Sequence, residues 1–236
     1  MQPSGLDGVY RDMYGFYTRN LVPGARVYGE RLQQIGDSEY RMWNPRRSKM
    51  AAWIRIADRA YKEARPGMQV PPGPERLPWS RKLNILYLGA STGTTVSHLS
   101  DIASEGTVLA IEKSARSFRD LLLVAARRSN IIPVLGDASK PESYSALVPQ
   151  RVDVVYQDIA QREQAEFFLR NCLAFLKPDG VGVLMLKARS VSVARNPDDI
   201  YAEVEGQLSE RLRVLGTWEL EPYHRDHVAM LVQREP

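Results

Sequence analysis

Three acidic residues directly follow short apolar segments in the middle of the chain. Glu112 ends the segment TVLAIE, Asp137 follows NIIPVLG, and Asp158 follows VDVVYQ. If these segments are parallel strands, their carboxyl ends meet at one crevice, so we expect the three side chains to share a site. A carboxylate at the position of Glu112 accepts hydrogen bonds from ribose hydroxyls, and Asp137 has acceptors for an adenine amino group. The pattern favours a nucleoside-containing ligand over three unrelated surface carboxylates.

A turn of small residues precedes the first helix of this region, because Gly89–Thr95 reads GASTGTT. Small residues let a ligand approach the backbone, and the helix start offers unpaired N–H groups to an anion. The spacing is not G-x-G-x-x-G, which argues against a dinucleotide. A G-x-x-x-G turn suits a smaller cofactor such as the methionine part of S-adenosylmethionine, with Gly89 and Ala90 as contacts. The alternative is that the glycines serve only the backbone turn.

Lys187 closes the apolar segment VGVLMLK. A lysine at the end of such a strand is costly unless it is exposed, paired or functional. Asp158 ends the preceding strand segment, so we expect the two side chains to meet. A lysine beside an aspartate acts as a base or proton relay when desolvation offsets the partner's charge. The alternative is a structural ion pair.

The same turn also fits the hydrolase motif G-x-S-x-G, with Asp158 and His227 following in the order Ser, Asp, His. No HGGG-type oxyanion loop is present, and the upstream sequence lacks the parallel strands that precede such a motif. This interpretation also leaves Glu112 and Lys187 without roles. We therefore prefer a cofactor site.

Strand and helix patterns alternate from residue 83 onward, for example LNILYLG followed by the helical STGTTVSHLSDIAS. This alternation predicts an α/β fold with a mostly parallel sheet and helices on both faces. The last two strand segments leave no room for a helix between them, so they predict an antiparallel hairpin. We expect a Rossmann-like sheet of seven strands.

The chain before this region predicts a separate unit. Residues 1–46 contain short Tyr- and Val-rich runs between turn residues, which predict a small β-rich domain. Residues 47–236 then form the second domain, beginning with a helix over SKMAAWIRIADRAYKEA that Ser48 caps. A linker at about residues 65–80 holds five prolines, which predict an extended connection.

Composition excludes several classes. The single Cys172 rules out an intrachain disulfide framework, and with three histidines we expect no metal site. Cys172 lies on an apolar helical stripe and is expected in the core. No segment has the roughly 18 apolar residues of a membrane span, and the N-terminus lacks a signal-peptide core, so we expect a cytoplasmic protein. Residues 41–65 hold eight basic and two acidic residues, which suits a phosphate backbone or a solvated helix face.

Several blocks resemble the fibrillarin family, in order and across essentially the whole chain. They are YRMWNPRRSKMAA, LYLGASTGTTVSHLSDI, GDASKPESY, VDVVYQDIAQREQAEFF, LKARSVSV and EPYHRDH. The chain is similar to the archaeal form, because it lacks the Gly/Arg-rich tail of the eukaryotic proteins. The resemblance implies the S-adenosylmethionine-dependent methyltransferase fold with a small N-terminal domain.

The resemblance also implies site residues. The family's Lys-Asp-Lys-His set falls on Lys49, Asp158, Lys187 and His227. Its cofactor positions fall on Thr94, Thr95, Glu112, Lys113, Asp137, Ala138, Asp158, Ile159, Ala160 and Gln161. The residue after Glu112 is usually aromatic in the family and is Lys113 here, where its aliphatic stem could cover an adenine face.

The implied activity is ribose 2′-O-methylation of rRNA and tRNA with S-adenosylmethionine, in a box C/D ribonucleoprotein. The implied partners are a guide RNA with its target, a Nop-type scaffold protein and a kink-turn-binding ribosomal-type protein, with no membrane. Lys187 is the expected base, aligned by Asp158. Two alternatives remain: a stand-alone methyltransferase for a small molecule or protein, against which the basic segment argues, and a non-catalytic RNA-binding scaffold, against which Asp158 and Lys187 argue.

Overall fold

The computed structural model describes residues 1–148 and 151–235, which form two β-sheets with six α-helices. The first sheet is antiparallel and has the strand order β1-β2-β3-β5-β4. Its strands are β1 (Gln2–Pro3), β2 (Val9–Arg11), β3 (Phe16–Arg19), β4 (Leu32–Ile35) and β5 (Ser38–Met42). The β-rich N-terminal segment that the sequence predicts is therefore present. The domain boundary itself, between residues 46 and 47, stays a prediction.

The second sheet has seven strands in the order β11-β12-β10-β9-β6-β7-β8. Strands β6 to β10 pair in parallel, whereas β12 pairs antiparallel with both β10 and β11. The strands are β6 (Asn84–Leu88), β7 (Thr107–Glu112), β8 (Ile131–Leu135), β9 (Val152–Gln157), β10 (Leu176–Lys187), β11 (Arg213–Glu219) and β12 (His227–Gln233). The predicted fold class and closing hairpin are confirmed.

Capping side chains and backbone conformation set the helix bounds. Ser48 accepts a hydrogen bond from the Ala51 N–H, so the first helix begins where the sequence predicts. The second helix starts later than predicted, because Gly93 has a φ of 89° that cannot continue a helix. The helices are α1 (Lys49–Glu63), α2 (Thr94–Ile102), α3 (Ala115–Ala125), α4 (Gln164–Phe175), α5 (Ala188–Val191) and α6 (Pro197–Ser209).

Two short elements depart from the sequence prediction. The four-residue α5 is too short to show a helical period and was not expected. The proline-rich linker is not extended throughout, because Pro74–Arg76 forms one 3-10 turn. Proline has a suitable φ for the first position of such a turn, and the Trp79 indole N–H donates to the Pro74 carbonyl at 2.6 Å.

The core is continuous across the two sheets. Trp43 from the end of the first sheet packs in the same cluster as Trp53 of α1 and Ile85 of β6. A second cluster lies between the other face of the large sheet and helices α4 and α6. Cys172 is buried there, as predicted, and burial raises the pKa of its thiol well above its usual value. No helix in the described part of the chain has both the length and the apolar character to cross a membrane.

A buried ion network joins the N-terminal sheet to α2. The Arg41 guanidinium lies 2.6 Å from Glu30 and 2.8 Å from Asp101, and Asp101 also pairs with Arg128 at 2.5 Å. All four side chains are almost fully buried. Arg41 therefore does not belong to an exposed basic face, although the sequence places it in the basic segment 41–65.

Asp101→Asn should lower the free energy of unfolding by about 3–5 kcal/mol, because two buried guanidinium groups lose a shared counter-charge. The measurement is a denaturant titration of both proteins. Glu105→Gln removes the same charge from the exposed Arg81–Glu105 pair and should cost no more than about 1 kcal/mol. Equal losses in the two variants would contradict a stabilising role for the buried network.

Candidate active site

The site lies where the order of the parallel strands reverses. Strand β6 leads to β7 and β8 on one side, and β9 then pairs with β6 on the other side. Gly89 follows β6 and Asp158 follows β9, and a Cβ at Gly89 would lie only 2.3 Å from the Asp158 carbonyl oxygen. Gly89 also has a φ of 81°. Only glycine fits this contact, which brings the two strand ends together at the crevice where α/β proteins bind ligands.

A cleft of about 270 Å³ opens beside this contact, at the carboxyl ends of β6 to β9. The three strand-end acids all line it, so the prediction that they converge is confirmed. The other predicted cofactor residues along it are Gly89, Lys113, Ala138, Ile159, Ala160 and Gln161. Ser91, Ile111 and Gly136 complete the lining, and Ser91 and Ile111 were not expected there.

Backbone N–H groups fix the Glu112 carboxylate. Its Oε2 accepts from the Ser91 N–H and its Oε1 from the Ser114 N–H, each at 2.7 Å. The side chain is therefore held between the glycine turn and the start of α3. Each carboxylate oxygen accepts more than one hydrogen bond, so Glu112 retains acceptors for hydroxyl groups in the cleft.

Asp137 forms an ion pair with Lys113 across the same cleft. Their charged atoms lie 2.7 Å apart, and the Lys113 side chain is mostly exposed. Burial raises the pKa of Asp137, but hydrogen bonds from Lys113 and Ser139 outweigh that effect and lower it to about 2. Asp137 is therefore ionised and accepts hydrogen bonds. Lys113, at the position where the family usually has an aromatic residue, forms an ion pair with Asp137.

A second pocket of about 440 Å³ shares Gly89, Ser91 and Asp158 with the cleft. Ala90, Thr94 and Thr95 line this pocket instead of the cleft. Arg46, Arg47, Lys49, Tyr87 and Thr92 complete its lining. Asp158 thus stands between an acidic cleft and a basic pocket.

Asp158 pairs with Lys49 at 2.7 Å, and both side chains are about one-fifth exposed. The expectation that Asp158 meets and aligns Lys187 is wrong. Within residues 1–148 and 151–235, the structure gives the Lys187 ammonium group no hydrogen bond or ion pair, although its backbone is tightly held. Asp158 pairs with α1 because Lys49, the first residue of that helix, lies beside the end of β9.

Ser48 fixes Lys49 against the glycine turn. The Ser48 hydroxyl accepts from the Trp43 indole N–H at 3.0 Å and from the Thr95 hydroxyl at 2.9 Å, in addition to capping α1. The Thr95 hydroxyl is therefore engaged by the protein itself. This contact joins the start of α1 to the start of α2, a link that no spacing in the sequence reveals.

Lys187 and His227 face one another as register partners of β10 and β12. The Gln164 amide binds both the N–H and the carbonyl of Lys187, each at 3.1 Å. Gln164 was not a sequence candidate, and its only signal was a polar residue within an apolar helix face.

Only one nitrogen of the His227 ring has a hydrogen-bond partner among residues 1–148 and 151–235. Its Nδ1 lies 2.6 Å from the Arg225 carbonyl, so that nitrogen carries the donated proton. Burial lowers the pKa of His227, which favours the neutral ring and leaves Nε2 as an acceptor. His224 lies beside it and donates from Nε2 to the Pro45 carbonyl at 2.8 Å.

The hydrolase interpretation fails on this geometry. Asp158 pairs with Lys49, and the Nδ1 of His227 binds the Arg225 carbonyl instead of a carboxylate. A Ser-His-Asp triad requires the aspartate on that nitrogen.

Comparison with known proteins places the chain among methyltransferases. The family model for fibrillarin matches residues 4–236. The fibrillarin-like rRNA/tRNA 2′-O-methyltransferase of Thermococcus onnurineus is 44% identical over 220 residues, which cover 93% of this chain and 89% of that protein.

Two solved structures are similar over nearly the whole chain. Aeropyrum pernix fibrillarin with natively bound S-adenosyl-L-methionine has a TM-score of 0.81 at 37% identity, covering 98% of this chain and 96% of that one. A fibrillarin/Nop5p complex gives a TM-score of 0.79 at 37% identity, covering 97% and 98%.

The seven-stranded sheet and its switch-point cleft define a Rossmann-like methyltransferase that uses S-adenosylmethionine. The chain belongs to the fibrillarin family.

Lys113→Met should raise the pKa of Asp137 from about 2 toward its ordinary value of 3.8, because the lysine contributes both a hydrogen bond and a positive charge. The measurement is the pH dependence of the Asp137 carboxyl carbon shift by NMR. Lys140→Met removes an exposed lysine without this contact and should leave the Asp137 titration near pH 2. A Lys113→Met titration that matches wild type would contradict the assigned ion pair.

Proposed function

We propose that this chain transfers a methyl group from S-adenosylmethionine to the ribose 2′-oxygen of rRNA and tRNA, as the catalytic subunit of a box C/D ribonucleoprotein. One observation carries the proposal: Asp158 lines both the acidic cleft and the basic pocket, so one side chain borders two ligands. The names of the relatives supply the reaction class.

The residues of the cleft fit this cofactor. Gly89 lets the β6 and β9 strand ends approach at the edge of the cleft, and the fixed Glu112 carboxylate retains acceptors that face it. In this proposal Glu112 binds the ribose hydroxyls, Asp137 the adenine amino group, and Ala138 with residues 159–161 the adenine faces. When bound, the cofactor supplies an electrophilic methyl group on sulfur.

The basic pocket suits the target nucleotide. Arg46 and Arg47 are exposed at its rim, where guanidinium groups bind phosphate. The Lys49–Asp158 ion pair lines this pocket and presents both a hydrogen-bond donor and an acceptor to a ribose hydroxyl. The main catalytic role of such a site is to hold the nucleophilic oxygen in line with the methyl group, since correct orientation can lower an activation barrier by about 7–11 kcal/mol.

The proton of the 2′-hydroxyl must also leave. Lys187 was the expected base, but Asp158 forms its ion pair with Lys49 instead. His227 is better suited, because its neutral ring keeps the Nε2 lone pair free. We therefore assign proton acceptance to His227 Nε2 and binding of the target strand to Lys187.

A Nop-type scaffold protein is the partner that the known fibrillarin/Nop5p complex supports. The guide RNA and the kink-turn-binding ribosomal-type protein complete the proposed particle. A guide is needed because the candidate site offers phosphate and ribose contacts, which carry no base sequence.

If His227 accepts the proton, the rate of methyl transfer should rise with pH as its ring is deprotonated, on a limb centred below pH 6.5. His227→Gln should remove this limb and lower the single-turnover rate by about 10²–10⁴-fold, with cofactor affinity by calorimetry unchanged. The comparison variant is Lys187→Met, which should weaken RNA binding and keep the limb. Loss of the limb in Lys187→Met alone would return the base role to Lys187.

Guide dependence is the second expectation. With labelled cofactor, the particle reconstituted from this chain, scaffold, kink-turn protein and guide should methylate one nucleotide of a matched RNA. Omission of the guide should reduce incorporation to the level of the isolated chain. Efficient methylation by the isolated chain without a guide would indicate a stand-alone enzyme, and cofactor binding without methylation in the full particle would indicate a scaffold.

A further inference from the structure

Only part of the basic segment 41–65 is both free of acidic partners and close to the site. Arg41 is buried in the ion network, Lys49 pairs with Asp158, and Arg59 and Lys62 pair with acids on their own helix. What remains near the site is the pair Arg46 and Arg47. Other arginines join them from distant parts of the chain.

A groove of about 650 Å³ runs from the basic pocket between the N-terminal domain and α3. It shares Arg47 and Thr92 with that pocket, so the two form one continuous depression. We call this groove the arginine trough. The loop 22–28 forms one wall, and α3 with the turn after it forms the other.

The trough has a strong positive bias. Arg26, Arg47 and Arg127 line it and are exposed, while Asp120 is its only carboxylate among the described lining residues. Arg128 also borders it, but Asp101 neutralises that charge. The structure gives the side chains of Arg26, Arg47 and Arg127 no ion pair within residues 1–148 and 151–235.

An apolar side chain accompanies these charges. Leu123 is 71% exposed and lies on the α3 wall. A cationic groove with an apolar wall matches a nucleic-acid strand, whose phosphates need cations and whose sugars and bases offer apolar faces.

We propose that the arginine trough holds the phosphates of the RNA strand that flanks the target nucleotide. The inference rests on the proposed function, because a target ribose in the basic pocket belongs to a polymer. Its strand must leave the pocket, and the trough is continuous with that pocket through Arg47. Arg26 and Arg127 then contact successive parts of the backbone, without reading sequence.

The test is the salt dependence of RNA binding by the intact chain, which requires no catalysis. Arg26→Gln with Arg127→Gln removes two proposed phosphate contacts. On a single-stranded RNA, the slope of log K against log salt should become shallower by about 1.4, since each contact contributes about 0.7. The loss of affinity should be the same for RNAs of different sequence.

The matched control is Arg76→Gln with Arg211→Gln. These arginines are exposed and lie outside the trough, with Arg211 two residues before β11, at the opposite edge of the sheet from β8. The control should keep the wild-type slope, and calorimetry should show unchanged cofactor affinity in both double variants.

A wild-type slope in the trough variant would overturn the inference. So would intact RNA binding combined with failure to join the scaffold protein, which would make the trough a protein interface. Failure of the proposed function would look different: the wild-type particle would not methylate its target, whether or not the trough variant loses its slope.

Discussion

The ion pair between Lys49 and Asp158 is the contact on which the arrangement of the site depends. It joins the first residue of α1 to the end of β9, at 2.7 Å. Asp158 is at that point because Gly89 lets the β6 and β9 strand ends touch. Lys49 is there because Ser48 caps α1 and binds Trp43 and Thr95. Asp158 of this pair lines both the acidic cleft and the basic pocket, so the contact that positions α1 also lies where the two cavities meet.

The N-terminal sheet is a structural part of this site. Arg41 of β5 pairs with Glu30 in the loop before β4 and reaches α2 through Asp101, and it also donates to the Ser97 hydroxyl at 2.9 Å. Because α2 begins at the glycine turn, displacement of the sheet would disturb both Thr95 and Ser48. Burying four charges carries a desolvation free energy that only complete pairing offsets. The complete pairing seen here is consistent with a fixed orientation of the two sheets.

Much of the fold and of the cofactor cleft could be predicted from sequence, because both follow from order along the chain. Strand and helix alternation determined the sheet, and acids at strand ends such as Glu112 and Asp137 converge in any parallel arrangement. Contacts between distant segments could not be predicted. Asp158 selects Lys49 over Lys187, Arg41 is buried despite its basic surroundings, and Arg26 joins Arg127 only after folding. The density of basic residues along the sequence does not predict the exposed positive surface, because ion pairs between distant residues neutralise many of those charges.

The most direct test of the central claim is a crystal structure of the chain with S-adenosylhomocysteine and a short RNA. We expect the nucleoside of the cofactor product in the cleft of Glu112 and Asp137, and a ribose 2′-oxygen in the pocket of Lys49 and Asp158. Asp158 should border both the sulfur and that ribose, with the line from the sulfur to the 2′-oxygen left open for the methyl group. A cofactor product bound outside the cleft, or a ribose on a surface that Asp158 does not border, would contradict it.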